Sequence, residues 1–377
     1  MKRLRQTDYP VVALTHPGMK GKNNEDCFGV AAFSQGLFGA RPILLAVLSD
    51  GIGGHRAGEV ASAVAVEQIS RLVQDSSGSK PVEVLHKAIQ TASEAIRNQA
   101  AQKAETSGMG ATCACIWISA DQLYTATVGD SRVYLLRAGK IQRLSTDHTW
   151  VQEALERGII KPEQVNGHPN THVIRRYLGS PIPPEVDFRL RLADGEDDQR
   201  ALDNQGMKVI PGDLLLLTSD GLTDLVSDDE ICQAFQSSSN ETAGRGLIDL
   251  ANERGGHDNI TIVAVQVPQG ARPRRSVAGS ARWAGLGCGA ILLTAALAIS
   301  VAGGWWLNSR AQSTAVATPT ARLEAPVGPT QTGTREAPTR PASTLSAFRT
   351  PTATRAAILP LDGGPTLTAW PTNTPAK

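Results

Sequence analysis

Two strongly apolar segments lie far apart in the chain, and each ends in the same polar tripeptide. Residues 43–48 precede Ser-Asp-Gly at 49–51, and residues 214–217 lead through a threonine into Ser-Asp-Gly at 219–221. A short apolar run bounded by turn residues predicts a buried strand. Each predicted strand therefore carries an aspartate at its carboxyl end, and the glycine that follows permits a sharp turn or a close approach of the backbone to a ligand.

A third aspartate precedes a strand-like segment instead of following one. Asp258 stands shortly before residues 260–265, which are apolar apart from one threonine. Taken singly, each of the three aspartates is equally well explained as the cap of a turn. Three carboxylates that meet in space repel one another, and a bound cation is the usual reason for such a meeting. The set of Asp50, Asp220 and Asp258 therefore favours a metal site.

The remainder of residues 1–268 alternates between strand-like and helical periodicities, with turn residues between the segments. A hairpin is predicted at residues 128–134, with Asp130 in its turn, where the carboxylate would cap the turn or hold a metal. Together the patterns predict a layered α+β domain. Its helices are expected at residues 58–74, 81–104, 228–235 and 241–254.

The chain beyond residue 268 has a different composition. Residues 269–282 form a basic linker with four arginines, and residues 283–307 contain no charge and have tryptophans at both ends. About 20 apolar residues suffice to cross a bilayer, so a transmembrane helix is predicted at 283–307, with a buried helix as the alternative. Because basic residues stay inside, the N-terminal domain is expected in the cytoplasm and the Thr/Pro-rich residues 308–377 outside the cell membrane, as a disordered tail.

Composition excludes some function classes and redox environments. The 37 basic and 36 acidic residues nearly cancel, so no global basic field points to nucleic acid. The five cysteines are scattered, and the Cys113-Ala114-Cys115 pair lacks the partner ligands of a zinc site. Buried thiols in a reducing compartment are the simpler interpretation. No apolar stretch follows the N-terminal basic residues, so no secretory signal peptide is expected.

Six short motifs give the chain a family resemblance. In their order along residues 8–268 they resemble the metal-dependent Ser/Thr phosphatases of the PPM (protein phosphatase 2C) family, bacterial type. The motifs are Asn24-Glu25-Asp26, Asp50-Gly51-Ile52-Gly53-Gly54, Gly110-Ala111-Thr112, Gly129-Asp130-Ser131-Arg132, Ser219-Asp220-Gly221-Leu222 and Asp258-Asn259-Ile260-Thr261. The resemblance implies a four-layer α-β-β-α sandwich of two antiparallel sheets.

The resemblance also implies roles for individual residues. Asp50 would bridge two cations, with the Gly51 carbonyl on the first ion. Asp220 and Asp258 would bind the second ion, and the three aspartates form the implied catalytic set. Glu25 would hold a metal-bound water, and Asp130 would join Asp220 at a third metal site. All-oxygen ligands suit Mn²⁺ or Mg²⁺ better than Zn²⁺.

A reaction follows from such a site. Two cations about 4 Å apart lower the pKa of a bridging water, and the resulting hydroxide would attack the phosphorus of a phosphoserine or phosphothreonine in line. The expected partners are therefore phosphorylated proteins, namely Ser/Thr kinases and their substrates. No covalent phosphoenzyme is needed, which agrees with the absence of a Cys-x5-Arg signature.

The chain departs from the family at two positions. Gly21 stands where members commonly carry a phosphate-binding arginine, and Lys20 and Lys22 flank it. Either lysine would supply a point charge, although both are equally well explained as solvated side chains. Ile52 replaces a histidine that some members carry, and His55 is a weak substitute.

Residues 147–179 resemble the variable flap of the family. Three histidines lie there, but Pro169 and their irregular spacing argue against a rigid metal site. Two functions other than a phosphatase stay open. The first is a catalytically weak module that binds phosphoproteins, favoured only by Gly21, and the second is a receptor that acts through its outer tail.

Overall fold

The structure is a computed structural model, and it describes residues 1–269 except 22, 36–40, 54–55, 103 and 166. The predictions for Lys22, for His55 and for the membrane helix and tail fall outside the described residues, as does all but the first residue of the predicted linker. None of the helices in the part that is described has the length and apolar character needed to span a membrane.

The described chain forms strands and helices with the following bounds. The strands are β1 (Lys2–Leu4), β2 (Val11–His16), β3 (Cys27–Gln35), β4 (Arg41–Ser49), β5 (Gly51–Ile52), β6 (Gly110–Ala111), β7 (Cys113–Ser119), β8 (Gln122–Val128), β9 (Arg132–Arg137), β10 (Lys140–Arg143), β11 (Met207–Lys208), β12 (Leu214–Thr218) and β13 (Ile260–Gln266). The helices are α1 (Arg56–Asp75), α2 (Pro81–Ala100), α3 (Trp150–Glu156), α4 (Asp198–Asp203), α5 (Asp220–Thr223), α6 (Asp228–Ser237) and α7 (Asn240–Glu253).

Two antiparallel sheets form the centre of the fold. The first has the strand order β1-β3-β4-β7-β8-β11 and the second the order β10-β9-β12-β13-β2. A small third pairing joins β5 to β6, with Gly51 opposite Ala111. In the second sheet Thr218 of β12 pairs with Ile262 of β13, so the end of β12 adjoins the start of β13. This register brings the segments that carry Asp220 and Asp258 to one edge.

Three separate apolar clusters fill the spaces between four layers. One lies between the first sheet and helices α1 and α2, one between the two sheets, and one between the second sheet and helices α5 to α7. Strand β4 shows why its sequence is uninterruptedly apolar. Its alternate residues Leu44 and Leu48 face the second sheet, whereas Leu45 and Val47 face the helices. The α+β four-layer sandwich implied by the resemblance is confirmed.

Two local predictions are wrong. Residues 128–134 do not form a hairpin, because β8 pairs with β7 and β11 in the first sheet, whereas β9 pairs with β10 and β12 in the second. The turn around Asp130 therefore carries the chain from one sheet to the other. Helix α2 ends at Ala100 instead of residue 104, and the Thr106 hydroxyl donates to the Gln99 carbonyl just beyond the helix. No glycine or proline marks this end in the sequence, so the helical pattern overruns it.

Candidate active site

The predicted acidic residues converge at the ends of strands from both sheets. Asp50 directly follows β4, Asp220 begins α5 after β12, and Asp258 lies two residues before β13. Burial raises the pKa of Asp220, and the nearby Asp258 carboxylate raises it further. The aspartates that are distant in sequence thus form one cluster.

Asp50 and Asp220 lie side by side in this cluster. Burial raises the pKa of Asp50 well above its ordinary value, and the charges of Asp26, Asp220 and Asp130 act in the same direction. The side chains of Asp50 and Asp220 lie within hydrogen-bonding reach of each other. Because two ionised carboxylates cannot bond to each other, one of them must hold a proton unless a cation lies with them.

Unpartnered oxygens show that the cluster is suited to a cation. Oδ1 of Asp26, of Asp130 and of Asp220 are buried and have no hydrogen-bond partner. Buried polar atoms are nearly always paired, so these oxygens call for an ion or ordered water. Carboxylate and carbonyl oxygens are the ligands that Mg²⁺ and Mn²⁺ prefer. The residues present therefore fit the predicted metal ions.

Asp26 is a member of the cluster that the sequence had placed only within a motif. Burial raises its pKa to about 7, although hydrogen bonds from Thr261 and Ser219 oppose the rise. The Ser219 hydroxyl donates to Asp26 Oδ2 at 2.7 Å and accepts from the Thr261 N–H at 2.9 Å. Asp26 is thereby fixed to the segment that carries Asp220.

Thr112 joins two of the acidic segments. Its hydroxyl oxygen accepts from the Asp50 N–H at 2.9 Å and lies 2.6 Å from the hydroxyl of Ser131. Its own N–H donates to the Asp50 carbonyl at 2.8 Å. The end of β4 and the turn around Asp130 are therefore held to the same buried threonine, which explains why Gly-Ala-Thr belongs to the motif set.

Asn259 fixes the loop that carries Glu25. Its side-chain oxygen accepts from the Glu25 N–H at 2.7 Å, and its amide group donates to the carbonyls of Pro17 and Asn23, both at 3.1 Å. Gly18 packs on the same region, because a Cβ there would lie 2.3 Å from the Asp258 carbonyl oxygen. The loop before Glu25 and the loop of Asp258 are thus one packed unit.

The two glycines that follow the strand-end aspartates allow close backbone packing. A Cβ on Gly51 would lie 2.1 Å from the Gly58 carbonyl oxygen, and one on Gly221 would lie 2.1 Å from the Asn259 carbonyl oxygen. Neither glycine has a positive φ. Gly58 in turn packs on Glu25, whose Oε2 would lie 2.1 Å from a Cβ at position 58. The glycines therefore allow backbone segments of the same chain to pack closely against each other, and this packing places Glu25 beside Gly51.

A buried histidine supports the turn of Asp130. The Gly129 N–H donates to His148 Nδ1 at 3.0 Å, and the Gly129 carbonyl accepts from the His148 N–H at 2.9 Å. Because Nδ1 accepts, the ring proton lies on Nε2, which is 3.1 Å from Asp187 Oδ2. The guanidinium of Arg189 donates to both oxygens of Asp187. This chain of bonds fixes the position of Asp130.

Replacing His148 with leucine is expected to weaken metal binding as well as folding. The Gly129 N–H and the Asp187 carboxylate would each lose a buried partner, at a cost of about 2–3 kcal/mol in the free energy of unfolding. Displacement of the Asp130 turn should weaken the weakest class of Mn²⁺ sites about 10- to 100-fold. Titration calorimetry and urea unfolding measure the two effects. His148→Asn retains an acceptor for Gly129 and should recover part of the affinity; equal Mn²⁺ affinity in all three proteins would refute the positioning role.

The predicted phosphate-binding region has a geometry of its own. Lys20 is exposed, and Gly21 adopts a left-handed conformation with φ of 69° and open space where a side chain would begin. An arginine in this conformation would be strained, because left-handed backbone costs a side-chain-bearing residue about 1–2 kcal/mol. The conformation of this loop thus favours the glycine over an arginine, and Lys22, the other candidate, lies outside the described residues.

Two further potential ligands are present: His172, which the irregular spacing of the histidines had argued against, and Asp224, for which the sequence carries no signal. Asp224 lies one helical turn after Asp220, and His172 extends from the 147–179 segment toward it, with Nδ1 3.1 Å from Asp224 Oδ2. One ligand atom from each of His172, Asp220 and Asp224 lies within 4.8 Å of the others. Helix α5 is a single turn, too short for a periodicity to reveal, so only the Ser-Asp-Gly signal marked this segment.

Known proteins share both the sequence and the fold of this chain. A profile described as Protein phosphatase 2C matches residues 23–157. The chain is 36% identical over 251 residues to the serine/threonine protein phosphatase PstP of Mycobacterium tuberculosis. The aligned part covers 66% of this chain and 43% of that protein. It is 32% identical over 255 residues to a 2C-type protein phosphatase of Streptococcus pyogenes, and this alignment covers 67% of this chain and 94% of the relative.

The fold has a solved counterpart with metal. The crystal structure of the catalytic domain of PstP in complex with two manganese ions matches with a TM-score of 0.55 and 32% identity, over 69% of this chain and 99% of that one. The chain spans less than half the length of the mycobacterial relative, 43%. Similarity is therefore concentrated in the domain that carries the acidic cluster.

Proposed function

The chain belongs to the protein phosphatase 2C family, and on that premise we propose that residues 1–268 hydrolyse phosphoserine and phosphothreonine in other proteins with bound Mn²⁺ or Mg²⁺. The observation that carries the proposal is the acidic cluster itself. Strand ends from both sheets bring together buried carboxylates, three of which have an oxygen without a partner. The two manganese ions of the PstP catalytic domain support the same ions here.

The protein's residues divide the work as follows. Asp50 and the Gly51 carbonyl would hold one ion, Asp50 with Asp220 and Asp258 would hold the second, and Asp130 with Asp220 would offer a third site. The ions, when bound, act as Lewis acids that activate water at neutral pH and offset charge on the phosphoryl oxygens.

Glu25 would act on water. Its carboxylate, placed beside Gly51 by the contact with Gly58, would accept a hydrogen bond from a water on the metal and orient it. Ser219 and Thr112 fix the acids in advance, so little reorganisation is needed when phosphate binds. Lys20 is proposed to attract the phosphate as an exposed point charge.

The experiment is turnover of a phosphothreonine peptide by the full chain with and without Mn²⁺. We expect release of phosphate that EDTA abolishes and that added Mn²⁺ restores. A folded chain that binds Mn²⁺ and the phosphopeptide without hydrolysing it would instead establish the phosphoprotein-binding module, which the glycine at position 21 favours.

We further propose that residues 283–307 anchor the protein in the cell membrane, joined to the catalytic domain by the basic linker 269–282. The domain would face the cytoplasm, where Ser/Thr kinases and their substrates are its partners, and the Thr/Pro-rich residues 308–377 would lie outside. The support is the uncharged stretch with terminal tryptophans and the arginines before it. Protease added to intact cells should remove the tail and spare the domain; recovery of the chain in the soluble fraction would refute the anchor.

A further inference from the structure

Two carboxylates of the site lie on the same face of a helical turn. The Asp224 N–H donates to the Asp220 carbonyl at 2.8 Å, as expected for residues four apart in a helix. His172 approaches this pair from the 147–179 segment, and the three potential ligand atoms lie within 4.8 Å of one another. Ligands at about 2.1 Å from an ion lie up to about 4.2 Å apart, so a small closure would complete the site.

The histidine is held by the backbone of its own segment. The Trp150 N–H donates to the carbonyl of Val173, the residue after His172, at 2.8 Å, and the Arg175 N–H donates to the His148 carbonyl at 2.7 Å. His148 is the residue that also supports the Asp130 turn. The position of His172 is therefore set by the same part of the chain that sets Asp130.

An ordinary His–Asp ion pair does not account for the whole arrangement. It uses one oxygen of Asp224 but leaves Oδ1 of Asp220 buried without a partner. Asp130 is only 7% exposed, also has an unpartnered Oδ1, and lies near enough for the charges of Asp220 and Asp224 to raise its pKa. A divalent cation would offset the repulsion among these carboxylates and give their unpartnered oxygens a partner.

We propose that His172, Asp220 and Asp224 bind a divalent transition-metal ion, with Mn²⁺ favoured over Mg²⁺, and that this ion fastens the 147–179 segment to helix α5. The inference rests on the proposed function for the two resident ions and adds His172 and Asp224 to the ligands that the resemblance implies. Imidazole nitrogen suits transition metals, whereas Mg²⁺ takes oxygen ligands.

The test detects nitrogen on the metal directly. The tag-free full chain is loaded with Mn²⁺, and electron spin-echo modulation is recorded for coupling to ¹⁴N, since the other proposed ligands are all oxygen. We expect the coupling in the wild type and its loss in His172→Gln. His86→Gln, which alters an exposed histidine on α2, is the matched control and should retain it.

Binding strength gives a second readout. His172→Gln and Asp224→Asn should each weaken the weakest class of Mn²⁺ sites by about tenfold or more, the loss that even outer-shell partners of a metal produce. Mg²⁺ binding should be unchanged in His172→Gln. Absence of ¹⁴N coupling in the wild type, or its persistence in His172→Gln, would overturn the inference and leave an ion pair between His172 and Asp224.

Turnover measured on the same samples separates this inference from the proposed function. Hydrolysis of the phosphothreonine peptide without ¹⁴N coupling would refute the histidine ligand and leave the phosphatase intact. A ¹⁴N coupling that depends on His172, in a chain that hydrolyses nothing, would support the metal site and refute the phosphatase.

Discussion

Asp220→Asn is expected to make the metal-free protein more stable while removing its activity. The Asp220 carboxyl is held beside Asp50 and Asp258, and burial raises its pKa. An amide of the same shape removes a repelling charge without leaving a cavity, so the free energy of unfolding should rise by about 1 kcal/mol, or about 2–4 °C in Tm. Turnover should fall at least about 100-fold, beyond the loss that an outer-shell change produces.

The stability gain should depend on pH in one direction. Because the folded state holds the Asp220 proton more tightly than the unfolded state, the wild-type carboxyl destabilises the fold increasingly as pH rises from its ordinary pKa to the raised one. Below about pH 4 the carboxyl is protonated in both states, and the two proteins should converge. Thermal melts in EDTA between about pH 4 and pH 8 measure the difference.

An exposed acidic residue on α7 supplies the control for that experiment. Asp249→Asn, on the solvent side of α7, should change neither the melting temperature in EDTA nor the turnover. With saturating Mn²⁺ the wild type should melt at a higher temperature than Asp220→Asn, since only the wild type gains the full stabilisation of bound ions. A metal-free Asp220→Asn protein less stable than the wild type would show that the carboxylate is paired in the fold and that its charge is not a burden.

The strand ends could be predicted because their signal is local. A strand buried on both faces, such as β4, is apolar without interruption, and an aspartate directly after it has to lie at the sheet edge. Because buried carboxylates repel one another, a meeting of the three aspartates is explained by a shared cation better than by three separate turn caps. The fold confirms the layers that these strands imply, and the structure brings Asp50, Asp220 and Asp258 together.

What the sequence missed depends on pairing between distant segments. The alternation of apolar and polar residues in β8 and β9 is the same whether the two strands pair with each other or enter different sheets. A hairpin at Asp130 could therefore not be distinguished from a turn that carries the chain from one sheet to the other. His172 and Asp224 are separated by α4, β11 and β12, and residues beside His172 pair with Trp150 and His148, so no local pattern joins the two side chains. Asp26 was named only as part of a motif, although it is 8% exposed and belongs to the buried acidic cluster.

Gly51→Ala is expected to have the largest effect on folding of any single methyl group added at the site. The new Cβ would lie 2.1 Å from the Gly58 carbonyl oxygen and 2.8 Å from the Glu25 carbonyl oxygen, and backbone atoms cannot rotate away. We expect a loss of about 3 kcal/mol, the upper part of the range for overpacking, and loss of Mn²⁺ binding because Asp50 and Glu25 flank the displaced segment. Urea unfolding measures the loss in the free energy of unfolding, and titration calorimetry measures the loss of Mn²⁺ binding.

Two other glycines calibrate this result. Gly58→Ala places its Cβ 2.1 Å from Glu25 Oε2 and 2.8 Å from the Gly51 carbonyl oxygen. Because the nearer atom is the far end of a flexible side chain, the cost in stability should be smaller than for Gly51→Ala, while Mn²⁺ binding still weakens. Gly246→Ala, in the interior of α7 with no atom within 4 Å of the new Cβ, should raise stability by about 0.5–1 kcal/mol through helix propensity alone. If Gly51→Ala unfolds at the wild-type urea midpoint and binds Mn²⁺ with unchanged affinity, the close contact between Gly51 and Gly58 is not what holds Glu25 beside the metal ligands.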